Sequence, residues 1–530
     1  MLNQIIIKGY KSLKNCDLSL REGLNIIVGN NDVGKSSLLE AMHLGLTATL
    51  NGKLIQNEIS PYLFNKEITD QYLNSLPTDN ILPPPSIKIE IYFKDFSNLT
   101  SLKGTNNSLK LNVPGVALKI EFDQAYSEEY KEYIKDPSQV RTLPTEYYSS
   151  QWISFAGNTI THRSQPFGSS FIDASLIKNN SGTDKYLSRL INDKLTTKEK
   201  VDLSLAFRKL KEEFAENPKI KEINDELKKL NGEVSDKELS ISVDNSAKSS
   251  WENGIIPYLA DIPFTYTGKG EQSTLKIKVS LENSLTNSFV FLIEEPENHL
   301  SYTNMSKLID YIEKKCKGKQ VFITTHSSYV LNKLRLENVI LFSQNSHLRL
   351  DDIPSDTSDY FEKLPGYETL RLILGRKAIL VEGPSDELIV QRAYFDLNNK
   401  LPIDDGIDVI SVNSLAFKRF LEISQRLKIE TVVLTDNDQN IDAIKKKYKA
   451  FENFQFIRIL FDSDISSPTL EPQLVKVNEL DILNKILDKE FSSKDDLIKY
   501  MVGNKTDVAL RIFKSDRKIN YPKYILDAFQ

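Results

Sequence analysis

The sequence predicts an α/β chain of several domains, with a parallel sheet in its C-terminal third. Two observations carry this. The apolar strand Leu24-Asn25-Ile26-Ile27-Val28 runs into a glycine-rich turn and then a segment of helical periodicity. Farther on, buried-strand candidates at 378–381, 407–412 and 431–434 alternate with helical segments at 385–397 and 414–427. That β-α-β-α-β rhythm indicates parallel strands. The length agrees, since 530 residues at roughly 150 per domain allow two to four domains. Apolar residues at 40% and charged residues at 27% supply buried cores and exclude general disorder.

The elements follow in chain order. Ile5-Ile6-Ile7 and Leu18-Ser19-Leu20 read as short strands. The opening MLNQIIIKGYKSL is too short an apolar run for a signal peptide, and no run approaches the ~18 residues of a membrane span. Cys16 and Cys316 are the only cysteines and lie far apart, which excludes a disulfide scaffold or a cysteine-rich zinc site. The expectation is a cytoplasmic protein. Leu38, Leu39, Met42 and Leu46 give a helix over 35–46, and residues 47–85 read as loop. Ile87–Phe93 and Ala117–Phe122 alternate as half-buried, antiparallel strands. Residues 185–240 are Lys/Glu-rich, with Leu203, Leu205, Phe207, Leu210 and Phe214 punctuating the charge. They predict exposed amphipathic helices, an inserted arm that meets a partner. Strand-like runs return at 275–281, 289–293, 321–325 and 338–342, and the polar stretch 343–365 reads as an interdomain linker.

Gly29-Asn30-Asn31-Asp32-Val33-Gly34-Lys35-Ser36 fits G-x-x-x-x-G-K-[ST] between a strand and a helix. Such a loop wraps phosphates with backbone N–H groups, while Lys35 supplies charge and the Ser36 hydroxyl reaches Mg²⁺. Asn30, Asn31, Asp32, Gly34 and Ser37 complete the candidate ATP cradle. The strand Phe289–Ile293 ends in Glu294-Glu295. Glu294 would hold the metal and Glu295 would orient or deprotonate a water. Val321-Phe322-Ile323 leads to Thr324-Thr325-His326-Ser327, where His326 suits a γ-phosphate sensor. A lone histidine is more often structural, but this one closes an ordered series. The order of P-loop, EEPENHLS and TTHS resembles the ABC-type ATPase heads of RecF, Rad50 and SMC proteins. In that class a partner head contributes a signature loop. Gly268-Lys269-Gly270-Glu271-Gln272-Ser273 matches it best, departing from the usual LSGGQ. The family usually has Asp at the position of Glu294, so hydrolysis could be slow.

A second constellation follows. Glu382-Gly383-Pro384-Ser385-Asp386 comes after the strand AILV, at the carboxyl edge where α/β sites lie. Asp436-Asn437-Asp438 ends the strand 431–434, and an extended chain would point both aspartates to one side. Glu471 lies in Thr469-Leu470-Glu471-Pro472. These five acids could hold two Mg²⁺ or Mn²⁺ ions about 4 Å apart, stabilising the attacking and leaving oxygens of a phosphodiester. Lys505 could neutralise charge on the pentavalent phosphorus. Glu382, Asp436, Asp438 and Lys505, with Glu295 in the head, are thus the candidate catalytic residues. The combination of E-x-x-x-D and D-x-D resembles a Toprim domain.

An ABC-type head followed by a Toprim domain resembles the OLD (overcoming lysogenization defect) nucleases, most of all the nuclease subunit of the Gabija antiphage system. The motifs are IEEPENHLS, ITTHSS, LRLIL, ILVEGPSDELIVQRAY, LTDND and TLEPQL. The resemblance implies an ATPase head over 1–345 with a helical dimerisation arm inserted at about 160–245, a linker at 346–375 and a Toprim nuclease over 376–530. It also implies a double-stranded DNA endonuclease that nucleotide restrains, a dimer or dimer of dimers, and a UvrD-like helicase partner. The competing reading is an ATP-driven DNA clamp of the RecF/SMC type whose Toprim domain only docks. The clustered acids disfavour it, because like charges without metal repel. Net charge is −5, so DNA contact would be local. Residues 494–530 hold eight Lys/Arg against five Asp and form the candidate patch.

Overall fold

The computed structural model describes all residues except 162–167, 174–194, 230–238, 245–250, 252–255, 285–287, 344–346 and 413–415. Part of the expected arm, including Gly232, therefore lies outside the described residues. The chain divides into two compact units: Met1–Leu24 with Ser36–Thr324, and Asn25–Lys35 with Thr325–Gln530.

The first unit holds an antiparallel sheet in the order Leu13–Ser19, Leu2–Tyr10, Ile87–Phe93, Val113–Phe122, with Tyr148–Ser154 also paired to the last of these. Ile5 faces Ile91 and Ile7 faces Ile89 in register, and all four are fully buried. The helix Lys35–Thr47 lies against this pair. A Cβ on Gly45 would come within 2.8 Å of Ile89 and Ile91, and the Trp152 indole donates to the Gly45 carbonyl at 3.0 Å. Leu38, Leu39, Met42 and Leu46 are fully buried, as their spacing requires. In the same unit Gly168–Asp173, Ser288–Glu294 and Gln320–Thr324 run parallel. Phe291, Leu292 and Ile293 are all buried, the continuous apolar run of a strand covered on both faces.

Three local expectations change. The run 275–281 is helical, within Lys269–Ser284. Its Lys-Ile-Lys-Val alternation mimics a strand, but the buried residues Ser273, Ile277 and Leu281 recur every four positions. Residues 47–85 contain the helix Lys66–Ser75, whose first turn is capped by Asn65 accepting from the Ile68 N–H at 3.3 Å. The stretch 343–365 is not open linker. His347–Arg349 pairs antiparallel with Val339–Phe342, and Ser355–Lys363 is a helix. Its Phe361 is buried edge-on against Phe420, with ring centroids 5.3 Å apart. Within the arm, the described helices are Thr197–Ala215, with a Thr196/Glu199 capping box, and Pro218–Lys228.

In the second unit the strand residues Ile26, Ile27 and Val28, which lead into the P-loop, pair parallel with Val339, Ile340 and Leu341. A separate parallel sheet has the order Ile407–Ser411, Lys377–Val381, Glu430–Leu434, Ile457–Leu460. Chain direction across the sheet reverses between Lys377–Val381 and Glu430–Leu434. The crevice beyond the carboxyl ends of those two strands is the switch point where α/β proteins bind ligands. The helices Pro384–Asn398, Leu470–Val477, Leu480–Leu487, Lys494–Gly503 and Lys505–Lys514 share one apolar core with it.

Candidate nucleotide and metal sites

The P-loop has the backbone its glycines demand. A Cβ on Gly29 would meet the Phe342 carbonyl oxygen at 2.2 Å, and Gly34 sits at φ 103°. Asp32 is also left-handed, at φ 62°, and Asn30, Asn31 and Asp32 are exposed along the rim. Lys35 is buried, its ammonium donating to the carbonyls of Gly29 at 3.0 Å and Asn30 at 2.9 Å. Ser37 accepts from the Ser12 hydroxyl at 3.2 Å. Thr325 donates its N–H to the Ile27 carbonyl at 3.3 Å, and the exposed His326 follows it.

Glu294 hydrogen-bonds Ser36. Burial pushes its carboxyl up, the Ser36 bond opposes this, and the charges of Asp173, Glu295 and Glu40 add to the rise. A cation shared by Ser36 and Glu294 would relieve that crowding. Glu295 turns left-handed at φ 40°, donates its N–H to the Thr324 carbonyl at 3.1 Å, and accepts from the Asn298 amide at 2.7 Å. Asp173 was not legible as a neighbour of this site. It stands opposite Glu294 only through the parallel register of their strands. The signature-like segment begins the helix Lys269–Ser284, and a Cβ on Gly270 would strike the His299 carbonyl oxygen at 2.3 Å. Glycine there lets the helix meet the loop after Glu295.

The second unit assembles the other site. Glu382 leaves the strand Lys377–Val381, and its Oε1 accepts from the Thr435 hydroxyl at 2.7 Å and the Asp436 N–H at 3.0 Å. Pro384 opens the next helix, and Asp386 reaches back to the Gly383 N–H at 3.0 Å. Burial, then Glu382, then Glu471 raise the Asp386 carboxyl to about 6, with the Gly383 N–H opposing. Burial followed by Glu382, Asp386 and Glu471 raises Asp436 to about 8, against the pull of Lys505. Glu471 is buried, accepts from the Thr469 hydroxyl at 3.0 Å, and lies 3.5 Å from the Lys505 ammonium. Glu382, Asp386, Asp436, Glu471 and Lys505 therefore converge. A cavity of about 10 Å³ is bounded by Asp386, Thr435, Asp436, Leu470 and Tyr524. That is room for about one water molecule or one small ion.

Asp438 does not join them. It is exposed at φ 44°, because the chain turns instead of staying extended. The turn is set by Asn437, fully buried, whose amide donates to the carbonyls of Asp462, Asp464 and Ser467 and whose oxygen accepts from the Gln439 N–H at 2.9 Å. The C-terminal basic patch is also partly spent. Lys494 donates to the Val475 and Asn478 carbonyls, Arg511 binds Asp507 and the Leu487 carbonyl, and Lys505 faces Glu471.

The crowded oxygen donors suit a hard divalent cation. Among the described residues, no three acids, histidines or cysteines already stand in ligand geometry. Also among the described residues, no helix is long and apolar enough to cross a membrane.

Fold and sites together define an ATPase head carried in one chain with a Toprim domain. The chain belongs to the AAA ATPase domain family, whose model matches residues 1–331, and residues 373–438 match the overcoming lysogenization defect protein-like TOPRIM domain. This is the OLD-type, Gabija-like pairing that the motifs resemble. The chain is 21% identical to Endonuclease GajA of Bacillus cereus (strain VD045) over 473 residues, covering 82% of this chain and 75% of that protein. It is 34% identical over 79 residues to the DNA replication and repair protein RecF of Vibrio cholerae, 14% of this chain and 22% of that one. It is also similar to the solved C-terminal region of the Xanthomonas campestris pv. campestris OLD protein, at 20% identity and TM-score 0.25, covering 30% of this chain and 92% of that one. An ATPase domain and a Toprim domain imply use of a nucleotide and a divalent metal.

Proposed function

We propose that this chain is a nucleotide-regulated, Mg²⁺- or Mn²⁺-dependent endonuclease that nicks or cleaves double-stranded DNA, working in bacterial antiphage defence. The observation that carries the reading is the convergence of Glu382, Asp386, Asp436, Glu471 and Lys505 at the carboxyl edge of one parallel sheet. The four acids would hold the metal, which when bound polarises the scissile phosphate and acidifies the attacking water. Thr435 and the Asp436 N–H orient Glu382. Lys505, beside Glu471, would neutralise charge building on the phosphorus. In the head, Lys35 and Ser36 bind ATP with Mg²⁺, Glu294 holds that metal, Glu295 orients water and His326 senses the γ-phosphate. The arm joins a second copy, and a UvrD-like helicase is the partner the family resemblance points to.

The deciding experiment is plasmid cleavage with Mg²⁺ or Mn²⁺, with and without ATP, comparing the parent with Glu382→Ala. The variant should be folded and inactive. Retained nicking by it would sink the nuclease reading.

A further inference from the structure

A cationic segment outside the C-terminal patch lies beside the Toprim acids. The helix Ile441–Tyr448 and the residue after it carry Lys445, Lys446, Lys447 and Lys449 against a single acid, Asp442. Lys445, Lys446 and Lys449 are exposed, and among the described residues none of the three makes an ion pair. Lys447 lies over the Tyr448 ring, 5.1 Å from its centroid. Tyr448 anchors this end of the helix. Its ring is buried and meets Phe417 edge-on at 6.5 Å. Its hydroxyl feels the charge of Glu382 and lies beside Thr435. Thr435 in turn donates to Glu382. The helix that carries the lysines is thus anchored, through Tyr448, beside the residue that holds Glu382.

The electrostatics say what such a segment suits. A polyanion approaching Glu382, Asp386, Asp436 and Glu471 is repelled, and a bound metal offsets only the centre of that field. Fixed, unpaired cations at the edge are needed to hold the flanking phosphates. Several cations of the 494–530 segment are already committed to carboxylates and carbonyls. Among the described residues, Lys445, Lys446 and Lys449 are not.

We infer that Lys445, Lys446 and Lys449 form a track for the phosphate backbone of duplex DNA, leading it to the Toprim site. The inference rests on the nuclease reading and adds the surface that docks its substrate. The track neutralises phosphates and reads no base edge, so it contributes affinity without sequence preference.

The test is fluorescence anisotropy of a labelled duplex with the full chain across roughly 50 to 200 mM salt. It uses Ca²⁺ so that binding is read without turnover, and parent cleavage of the same duplex is measured separately in Mg²⁺. Each phosphate contact contributes about 0.9 to the salt slope, so Lys445→Glu/Lys446→Glu/Lys449→Glu should lower the slope by about 2.7. Affinity near 0.1 M salt should fall on the order of 100-fold. The triple Arg variant should keep the parental slope. A triple Gln variant, which removes charge without reversing it, reads the same loss if the Glu variant fails to fold. A parent that binds and cuts the duplex while the Gln or Glu variant keeps its slope would overturn the track and leave the nuclease reading intact. A parent that neither binds nor cuts duplex DNA would overturn both.

Discussion

Arg392 offers the sharpest test of how the Toprim site is held. It lies on the helix Pro384–Asn398, which carries Asp386 in its first turn, and is buried. Its Nε donates to Asp396 at 2.9 Å, and both side chains are 9% exposed. Its Nη1 donates to the carbonyls of Phe513, at 2.8 Å, and Ser515, at the end of the helix that Lys505 starts. Arg392 therefore ties the Asp386 helix to the Lys505 helix. Arg392→Met keeps much of the stem volume but strands the Asp396 carboxylate, which among the described residues retains only the Tyr521 hydroxyl at 2.6 Å. Removing one partner of a buried pair costs about 3–5 kcal/mol. At about 1.4 kcal/mol per decade, that is roughly 100-fold or more in the opening equilibrium of the helix 505–514. Amide hydrogen exchange of that helix is the assay, and DNA cleavage should fall with it while duplex binding persists. Arg208→Met, at an exposed pair with Glu212, is the control and should leave exchange within about twofold. Exchange in Arg392→Met that matches this control would refute the tether.

Two further outcomes follow from the sites. Lys505→Glu adds a further carboxylate to the acids around Glu471 and should slow cleavage by about 100-fold or more while changing DNA affinity only a few-fold. Equal losses in rate and affinity, measured by single-turnover cleavage and anisotropy, would make Lys505 a binding residue only. Lys35→Ala removes the ammonium that now bridges the Gly29 and Asn30 carbonyls, so nucleotide binding should be lost. If ATP restrains cleavage by the parent, this variant should cut equally with and without it. Inhibition that survives the substitution would place the restraint outside the head.

What the sequence determined by itself is the local chemistry. The P-loop needs glycine where Phe342 crowds Gly29, and Glu382 to Asp386 follows its strand through a Gly-Pro turn that opens a helix. Such features are encoded within a few residues, because backbone freedom and helix capping act at that range. The paired motifs therefore carry the α/β class without any long-range contact. The tertiary structure alone decided the rest. The Lys269–Ser284 segment alternates like a strand and is a helix because its buried residues recur every four positions. Asp438 has the spacing of a ligand, yet the buried Asn437 turns it outward. Asp173 becomes a neighbour of Glu294 by parallel register across more than a hundred residues, and Tyr448 brings a lysine-rich helix to Glu382 through a packed ring. Strand register and ring packing depend on partners distant in the chain, so no window of sequence contains them.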